Sequence, residues 1–352
     1  MKKIAVIGTV GLPACYGGFE TLVENLTNDS SDELEYFVFC SQQHYDLKKD
    51  THNGAALIYL PLSANNYQSI FYDIYSLIQC INLKPDVTLV LGVSGCIFIP
   101  VYKLFSKSKV IVNIDGLEWR RNKWGKMARF FLKLSERIAV RFGDVIITDN
   151  QAITDYVKKE YSKHSETIAY GGDHIGSFIP TRYEDNDCYL SICRIEPENN
   201  VHIILEAFSI CNKKIVFIGN WENSSYGRAL KSKYGAYKNI TILDPIYDIL
   251  TLHDIRQNCI GYIHGHSAGG TNPSLVEAMS SNKAVIAFDC IFNRFTMDNE
   301  GAYFESAEQL VLILESQNVN SLANNAAKMN EIAQKKYKWE HIVRQYEHLY
   351  YD

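Results

Sequence analysis

Short apolar runs rich in valine and isoleucine recur along the chain between longer stretches with helical periodicity. Parallel strands need long crossover connections, and a helix that covers the sheet is the usual one, so this alternation predicts an α/β fold. In the first half, strands are predicted at Lys3–Gly8, Tyr36–Ser41, Ala56–Leu60, Val87–Leu91, Val110–Ile114, Val145–Thr148 and Thr167–Tyr170. Helices are predicted between them at Phe19–Thr27, Gln68–Asn82, Lys126–Arg141 and Ala152–Lys159. After the polar stretch Thr181–Asp187 a second series begins, with strands at Tyr189–Cys193, Ile215–Ile218, Ile240–Leu243, Gly261–His264 and Ala284–Phe288. Its helices are expected at His202–Cys211, Leu252–Asn258, Pro273–Ser280, Ala307–Glu315 and Leu322–Lys336. A last amphipathic stretch, Trp339–Tyr350, has no strand after it.

At 352 residues the chain is longer than one hydrophobic core supports. Two domains are therefore expected, 1–172 and 173–337, with a terminal segment 338–352. Two doubly wound sheets in sequence place the carboxyl ends of their strands at a central cleft, where such folds bind ligands. The net charge of −5 argues against a nucleic-acid partner, which calls for a basic surface. Nine cysteines without a CxxC pair imply a reducing cytoplasm and buried thiols rather than disulfides or zinc. Lys2-Lys3 and Leu12-Pro13-Ala14-Cys15 imitate an export signal, but Gly8 and Gly11 break the apolar run, and a buried first strand is expected instead. Val87–Tyr102 is too short to span a bilayer and holds two glycines and a proline, so it reads as strand, turn and helix.

Several segments can carry chemistry. Tyr16-Gly17-Gly18-Phe19-Glu20 precedes a helix whose first amides can receive an anion or a sugar hydroxyl, or the glycines serve only a tight turn. The spacing is not GxGxxG, and no acidic residue ends the second strand, so a dinucleotide site is not expected. Arg194, just beyond a strand, can grip two phosphate oxygens in a fork, or pair with Glu196 or Glu198. From Tyr262 to Met279 a strand runs through small residues, Gly269-Gly270-Thr271-Asn272, into a helix with Pro273 in its first turn, an arrangement suited to phosphate. Glu277, one turn in, can accept two vicinal hydroxyls or merely oppose the helix dipole. His264 and His266 have no third ligand nearby in sequence and read as loop or core residues rather than a metal pair.

Asp115 and Glu118, beyond another first-half strand, can orient or deprotonate an acceptor hydroxyl, or cap the following helix. Between Glu118 and Phe142 eight basic residues stand against two acidic ones, interleaved with aromatics. Arg120, Arg121, Lys123 and Lys126 lead that run. It suggests an anionic membrane surface or a lipid-linked pyrophosphate, or a solvated face over an ordinary core.

Taken together, the early Gly-Gly loop, the Arg194 segment, Tyr170-Gly171-Gly172-Asp173 and Asn272-Pro273-Ser274-Leu275-Val276-Glu277-Ala278-Met279 resemble glycosyltransferase family 4 of the GT-B fold over nearly the whole chain. More narrowly, Asp115-Gly116-Leu117-Glu118-Trp119-Arg120-Arg121, Pro197-Glu198-Asn199-Asn200 and Gly269-Gly270-Thr271-Asn272-Pro273-Ser274 resemble a bacterial capsule and cell-wall rhamnosyltransferase subgroup. The resemblance implies two Rossmann-like domains facing a cleft, with the last helix crossing back onto the first. It implies a retaining, metal-independent hexosyl transfer without cofactor, from a nucleoside-diphosphate sugar, dTDP-L-rhamnose in the subgroup. The acceptor would be a lipid-linked oligosaccharide in surface polysaccharide synthesis, and the protein would sit in the cytoplasm against the inner face of the cell membrane. Asp115, Arg194 and Glu277 are the expected catalytic residues. Gly17, Gly18, Arg194, His266, Gly269, Gly270, Thr271, Asn272, Ser274 and Glu277 are expected at the donor, and Glu118, Arg120, Arg121, Lys123 and Lys126 at the acceptor or membrane.

Two departures from the wider family stand out. Gly269 occupies the place of a glutamate that contacts the donor sugar, and Asn199 that of a lysine five residues after the arginine. The subgroup shares both, which points to altered donor choice. A sugar-nucleotide-binding partner without catalysis and a nucleotide-sugar epimerase are the other readings the sequence admits.

Overall fold

The computed structural model describes residues 1–15, 17–121, 124–176 and 187–351. The chain divides into two compact units, one formed by Met1–Tyr170 with Trp339–Asp352 and the other by Gly171–Lys338.

Unit 1 contains, in chain order, β1 (Lys2–Ile7), α1 (Gly18–Asn28), β2 (Leu34–Ser41), β3 (Thr51–His52), β4 (Ala55–Leu60), α2 (Gln68–Leu83), β5 (Val87–Leu91), α3 (Ile99–Phe105), β6 (Lys109–Asn113), α4 (Lys126–Phe142), β7 (Val145–Thr148), α5 (Gln151–Tyr161) and β8 (Glu166–Thr167). Its eight strands lie in the order β3-β4-β2-β1-β5-β6-β7-β8. All pairs are parallel except β3 with β4. The central strands β1 and β5 are almost wholly buried, as expected of a sheet covered on both faces.

Unit 2 contains β9 (Cys188–Ile192), α6 (Val201–Ile210), β10 (Lys214–Ile218), α7 (Ser225–Tyr234), β11 (Ile240–Leu243), α8 (Ile249–Gln257), β12 (Gly261–His264), α9 (Pro273–Ser280), β13 (Ala284–Phe288), α10 (Ile291–Thr296), β14 (Ala302–Phe304), α11 (Ala307–Ser316) and α12 (Val319–Lys336). Its sheet is wholly parallel, in the order β11-β10-β9-β12-β13-β14. Tyr189, Phe208, Phe217 and Trp221 fill its core with edge-to-face rings.

The last helix, α13 (Trp339–Tyr351), belongs to unit 1. It buries Trp339, Ile342, Val343, Tyr346, Leu349 and Tyr350, and its last turn is anchored by Lys2 and Lys109, whose ammonium groups donate to the carbonyls of Tyr350 and Leu349 at 2.7 Å each. Cations at a helix carboxyl end satisfy carbonyls the helix itself leaves open. The two doubly wound sheets and the returning helix are the fold the sequence predicts.

The differences lie in short elements. β3, β14, α7 and α10 were not predicted: two or three strand residues show no alternation, and α7 carries Gly227 and three cations on a mostly exposed surface. The predicted strand Thr167–Tyr170 is only Glu166–Thr167. All nine cysteines are free, but Cys15 is exposed and Cys188, Cys193 and Cys290 only half-buried, so burial of every thiol was too broad an expectation. Of the polar stretch Thr181–Asp187, all but Asp187 lies outside the described residues, as does Tyr16 of the early glycine motif.

Candidate donor site

In unit 2 the strand order reverses between β9 and β12, and at such a switch point the loops leaving the two strands part to admit a ligand. Arg194 lies in the loop after β9, and Gly265–Asn272 form the loop after β12. The two loops are tied together. The Ser267 amide and hydroxyl both donate to the Glu198 carbonyl at 2.9 Å, and the Asn200 amide group donates to the Gly265 carbonyl at 2.9 Å. His266 Nδ1 lies 2.6 Å from Asn199 Oδ1, while Asn199 Nδ2 donates to the Arg194 carbonyl at 2.7 Å. This closeness explains Gly265: a Cβ there would stand 2.1 Å from the Asn199 carbonyl oxygen.

Arg194 is exposed and forms no ion pair among the described residues, so the surface pairing with Glu196 or Glu198 that its position allows does not form. Past the tie, Gly269 adopts φ +93°, a conformation L-residues rarely take. Among the described residues the amides of Gly269, Gly270 and Asn272 donate to no protein acceptor. Thr271 between them is buried. The helix end is less open than expected: Asn272 caps α9, its Oδ1 accepting the Ser274 amide at 3.0 Å and the Ser274 hydroxyl at 2.9 Å. The free donors lie before the helix, on Gly269, Gly270 and Asn272. A phosphate set against them would meet amides and helix dipole on one side and the Arg194 guanidinium loop on the other.

Glu277 sits in the middle of α9 with both carboxylate oxygens engaged. Arg256 Nη2, from α8, donates to Oε2 at 2.5 Å, and His174 Nε2 lies 3.4 Å from Oε1. Burial opposes the charge, but the His174 hydrogen bond and the Arg256 guanidinium outweigh it and hold the carboxyl below its usual range. Glu277 is thus an oriented anion rather than a plain dipole partner. Sequence reading missed Arg256 and His174: Arg256 ends an amphipathic stretch and His174 follows a glycine turn, and neither has a local pattern that marks it. His264 is buried, and its Nε2 has no hydrogen-bond partner among the described residues; burial first, then the neighbouring His266, bring its pKa down to about 3. It is a neutral core ring stacked on Tyr262.

In unit 1, Gly17 (φ +133°) precedes α1 and Gly18 begins it. The buried Glu20 turns back so that Oε1 accepts the Val10 amide at 2.7 Å and the Thr9 hydroxyl at 3.0 Å. A Cβ on Gly17 would lie 2.1 Å from its other oxygen. With a carboxylate already at this helix start, a neutral hydroxyl suits it better than a phosphate.

Asp115 lies just after β6 with φ +54°, unusual for a residue with a side chain. The Asp115 amide donates to Asn113 Oδ1 at 2.9 Å, and Asn113 Nδ2 donates to the hydroxyl of Tyr346 on α13 at 2.8 Å. The Tyr170 hydroxyl lies 3.4 Å from Asp115 Oδ1. Burial and then the charge of Glu118 raise the Asp115 pKa. Glu118 is held by Arg121 at 3.2 Å and by the Trp124 indole at 3.0 Å. Arg120 lies over the Trp119 and Tyr156 rings, and Lys126 is exposed at the first turn of α4. Lys123 lies outside the described residues.

Comparison with known proteins fits this arrangement. Residues 177–338 match the family described as glycosyl transferases group 1, and residues 1–173 match a family described as a domain of unknown function, DUF1972. No curated protein matched the chain in sequence. Among solved structures, the chain is similar to sucrose-phosphate synthase from Thermosynechococcus elongatus, with a TM-score of 0.81 and 15% identity over 99% of this chain and 98% of that one. It is also similar to HepE from Anabaena, solved with UDP and glucose, with a TM-score of 0.77 and 13% identity over 99% of each chain. At those identities the likeness concerns the fold. The family match places a glycosyl transferases group 1 domain over unit 2, and the chain is a glycosyltransferase with the GT-B fold.

Proposed function

We propose that the chain transfers an L-rhamnosyl group from dTDP-L-rhamnose to a lipid-linked oligosaccharide, with retention of configuration and without a metal, in surface polysaccharide synthesis at the inner face of the cell membrane. The observation that carries this reading is the pair of tied loops at the β9/β12 switch point where, among the described residues, Arg194 has no ion pair and the amides of Gly269, Gly270 and Asn272 have no acceptor. These donors suit a leaving diphosphate, whose negative charge grows as the bond from the anomeric carbon to oxygen breaks. The carboxylate of Glu277 suits the two ribose hydroxyls. The acceptor hydroxyl forms the new bond and its proton passes to an oxygen of the departing diphosphate. Asp115, with its raised pKa, positions that hydroxyl. Gly269 supports a deoxy sugar, since it removes the carboxylate that would read the hydroxyls of a glucosyl donor. Arg120, Arg121 and Lys126 serve the pyrophosphate of the acceptor or the anionic lipid around it.

HepE, solved with UDP-glucose, supports a second donor reading, in which UDP-glucose is used despite Gly269. One experiment separates them: the protein is incubated with dTDP-L-rhamnose or UDP-glucose and a lipid-linked acceptor, and the product is analysed for the added sugar and its linkage. Rhamnosyl transfer is expected. Transfer from UDP-glucose alone would replace the donor assignment, and no transfer from either, with Arg194→Ala binding nucleotide as well as the parent, would overturn the site.

A further inference from the structure

The helices α2, α3 and α4 carry an outer surface that sugar transfer does not explain. α3 packs against both of the others, so their outer faces are continuous. Of the twenty-one large hydrophobic side chains exposed among the described residues, eleven lie on these helices or at the residue that starts α2. They form stripes. On α2, Phe71 follows Tyr67 by four residues, and on α4 Phe130 follows Met127 by three, spacings that keep side chains on one side of a helix. Leu104 (79% exposed) and Phe105 (67%) of α3 stand between them. Soluble chains rarely leave so much contiguous apolar surface in water without a use for it.

The charges on this face have a single sign. The three helices contain two acidic residues, Asp73 and Glu136, and both are buried. Asp144, just past α4, is paired with Lys103. Lys126, Arg137 and Arg141 are exposed, on a chain whose net charge is −5. The core of a protein–protein interface is poor in lysine and other charges. Glu160 pairs with Lys133 of α4 from the neighbouring helix, and large apolar side chains bordered by such an excess of cations match a bilayer instead, with acyl chains below and anionic headgroups at the rim.

We infer that α2, α3 and α4 together form a docking face for an anionic lipid surface, in which the apolar side chains of α2 and α3 enter the bilayer boundary and the cations of α4 meet the headgroups. This rests on the reading that the acceptor is lipid-linked, and extends it from the basic segment after Glu118 to two helices that carry no part of that run. It gives α3, which carries none of the residues assigned to sugar or phosphate above, a defined task.

The test is flotation of the full chain with vesicles of phosphatidylcholine alone or of equal parts phosphatidylcholine and phosphatidylglycerol. The parent is expected to float with the anionic vesicles only, and less so at high salt. Leu104→Ser with Phe105→Ser removes two exposed side chains, so the fold should keep its melting temperature, while vesicle affinity falls roughly tenfold to a hundredfold. Hydrolysis of the sugar donor by this variant should match the parent. Parent-like flotation of this variant, with Arg137→Glu plus Arg141→Glu abolishing it, would overturn the three-helix face and leave the basic-helix reading standing. A parent chain that stays in the aqueous phase overturns both and leaves the face to a protein partner.

Discussion

Gly269 and Gly270 are adjacent in one loop but should respond to alanine in opposite directions. Gly269 is held at φ +93°, whereas Gly270 is not in the positive-φ region. A Cβ on Gly269 has room, its nearest neighbour being His266 Nε2 at 3.6 Å, so the penalty comes from the backbone rather than from a clash. A left-handed conformation costs an L-residue about 1–2 kcal/mol. For a unit the size of Gly171–Lys338 each kcal/mol corresponds to roughly 2–4 °C. Gly269→Ala should therefore lower the melting temperature of unit 2 by about 2–8 °C. If the loop relaxes toward negative φ to escape the strain, the free amides turn away and nucleotide affinity falls as well. Gly270→Ala should hold or raise the melting temperature, because alanine narrows the unfolded ensemble at little cost where φ is negative. Differential scanning calorimetry, with isothermal titration of dTDP or UDP, reads both effects. Equal shifts for the two variants would refute the claim that backbone conformation places glycine at 269.

Other consequences follow from partners already described. Arg194→Ala should leave stability unchanged, the side chain being exposed and without an ion pair among the described residues, while weakening nucleoside-diphosphate binding roughly tenfold to a hundredfold, as loss of a charged hydrogen bond does; titration calorimetry measures it. Arg256→Ala removes the shorter of two contacts to a half-buried carboxylate and should cost about 1.5–3 kcal/mol by denaturant unfolding, with nucleoside binding reduced in parallel. In unit 1, burial pushes the Asp73 pKa up to about 8 against the opposing Gly95 amide. The folded state thus keeps a proton that the unfolded chain releases near pH 4, so the stability this group contributes is full below about pH 4 and is lost as pH rises through about 8. Asp73→Asn should flatten that decline in denaturant midpoints collected from pH 4 to pH 8, and an unchanged slope would rule out Asp73 as its source.

The fold was legible because β5, β7, β12 and β13 are buried parallel strands whose apolar runs announce both ends. The loop before α9 was legible too, since Gly269, Asn272 and Pro273 each have a backbone role that residue type reveals. What stayed hidden is the set of partners that come from distant positions. Arg256 reaches Glu277 from α8, His174 from beyond a turn, and Tyr346 reaches Asn113 from more than two hundred residues away. None of these contacts has a period or a motif, because they exist only once sheet order is set. The apolar face of α2 to α4 was hidden for a related reason: a stripe on one helix reads as core until the fold leaves it in water.

The two departures from the family pattern turn out to share a single ring. Asn199, where the family has lysine, bonds His266 Nδ1, and the other ring nitrogen, Nε2, lies 3.6 Å from where a Cβ on Gly269 would stand. Gly269 is where the family has glutamate, so His266 touches both positions at once. Asn199 is buried, so Asn199→Lys alone would place an ammonium between the Arg194 carbonyl and the imidazole with no counter-charge, and should cost several kcal/mol. Gly269→Glu alone adds backbone strain and a carboxylate beside the ring. Introduced together they supply each other's charge across His266, and the double variant should recover about 0.5–3 kcal/mol relative to the sum of the singles. Additive losses in denaturant unfolding would mean that the two sites changed independently. A recovered coupling, with binding moving from dTDP-L-rhamnose toward UDP-glucose, would make Asn199, His266 and Gly269 one determinant of donor choice.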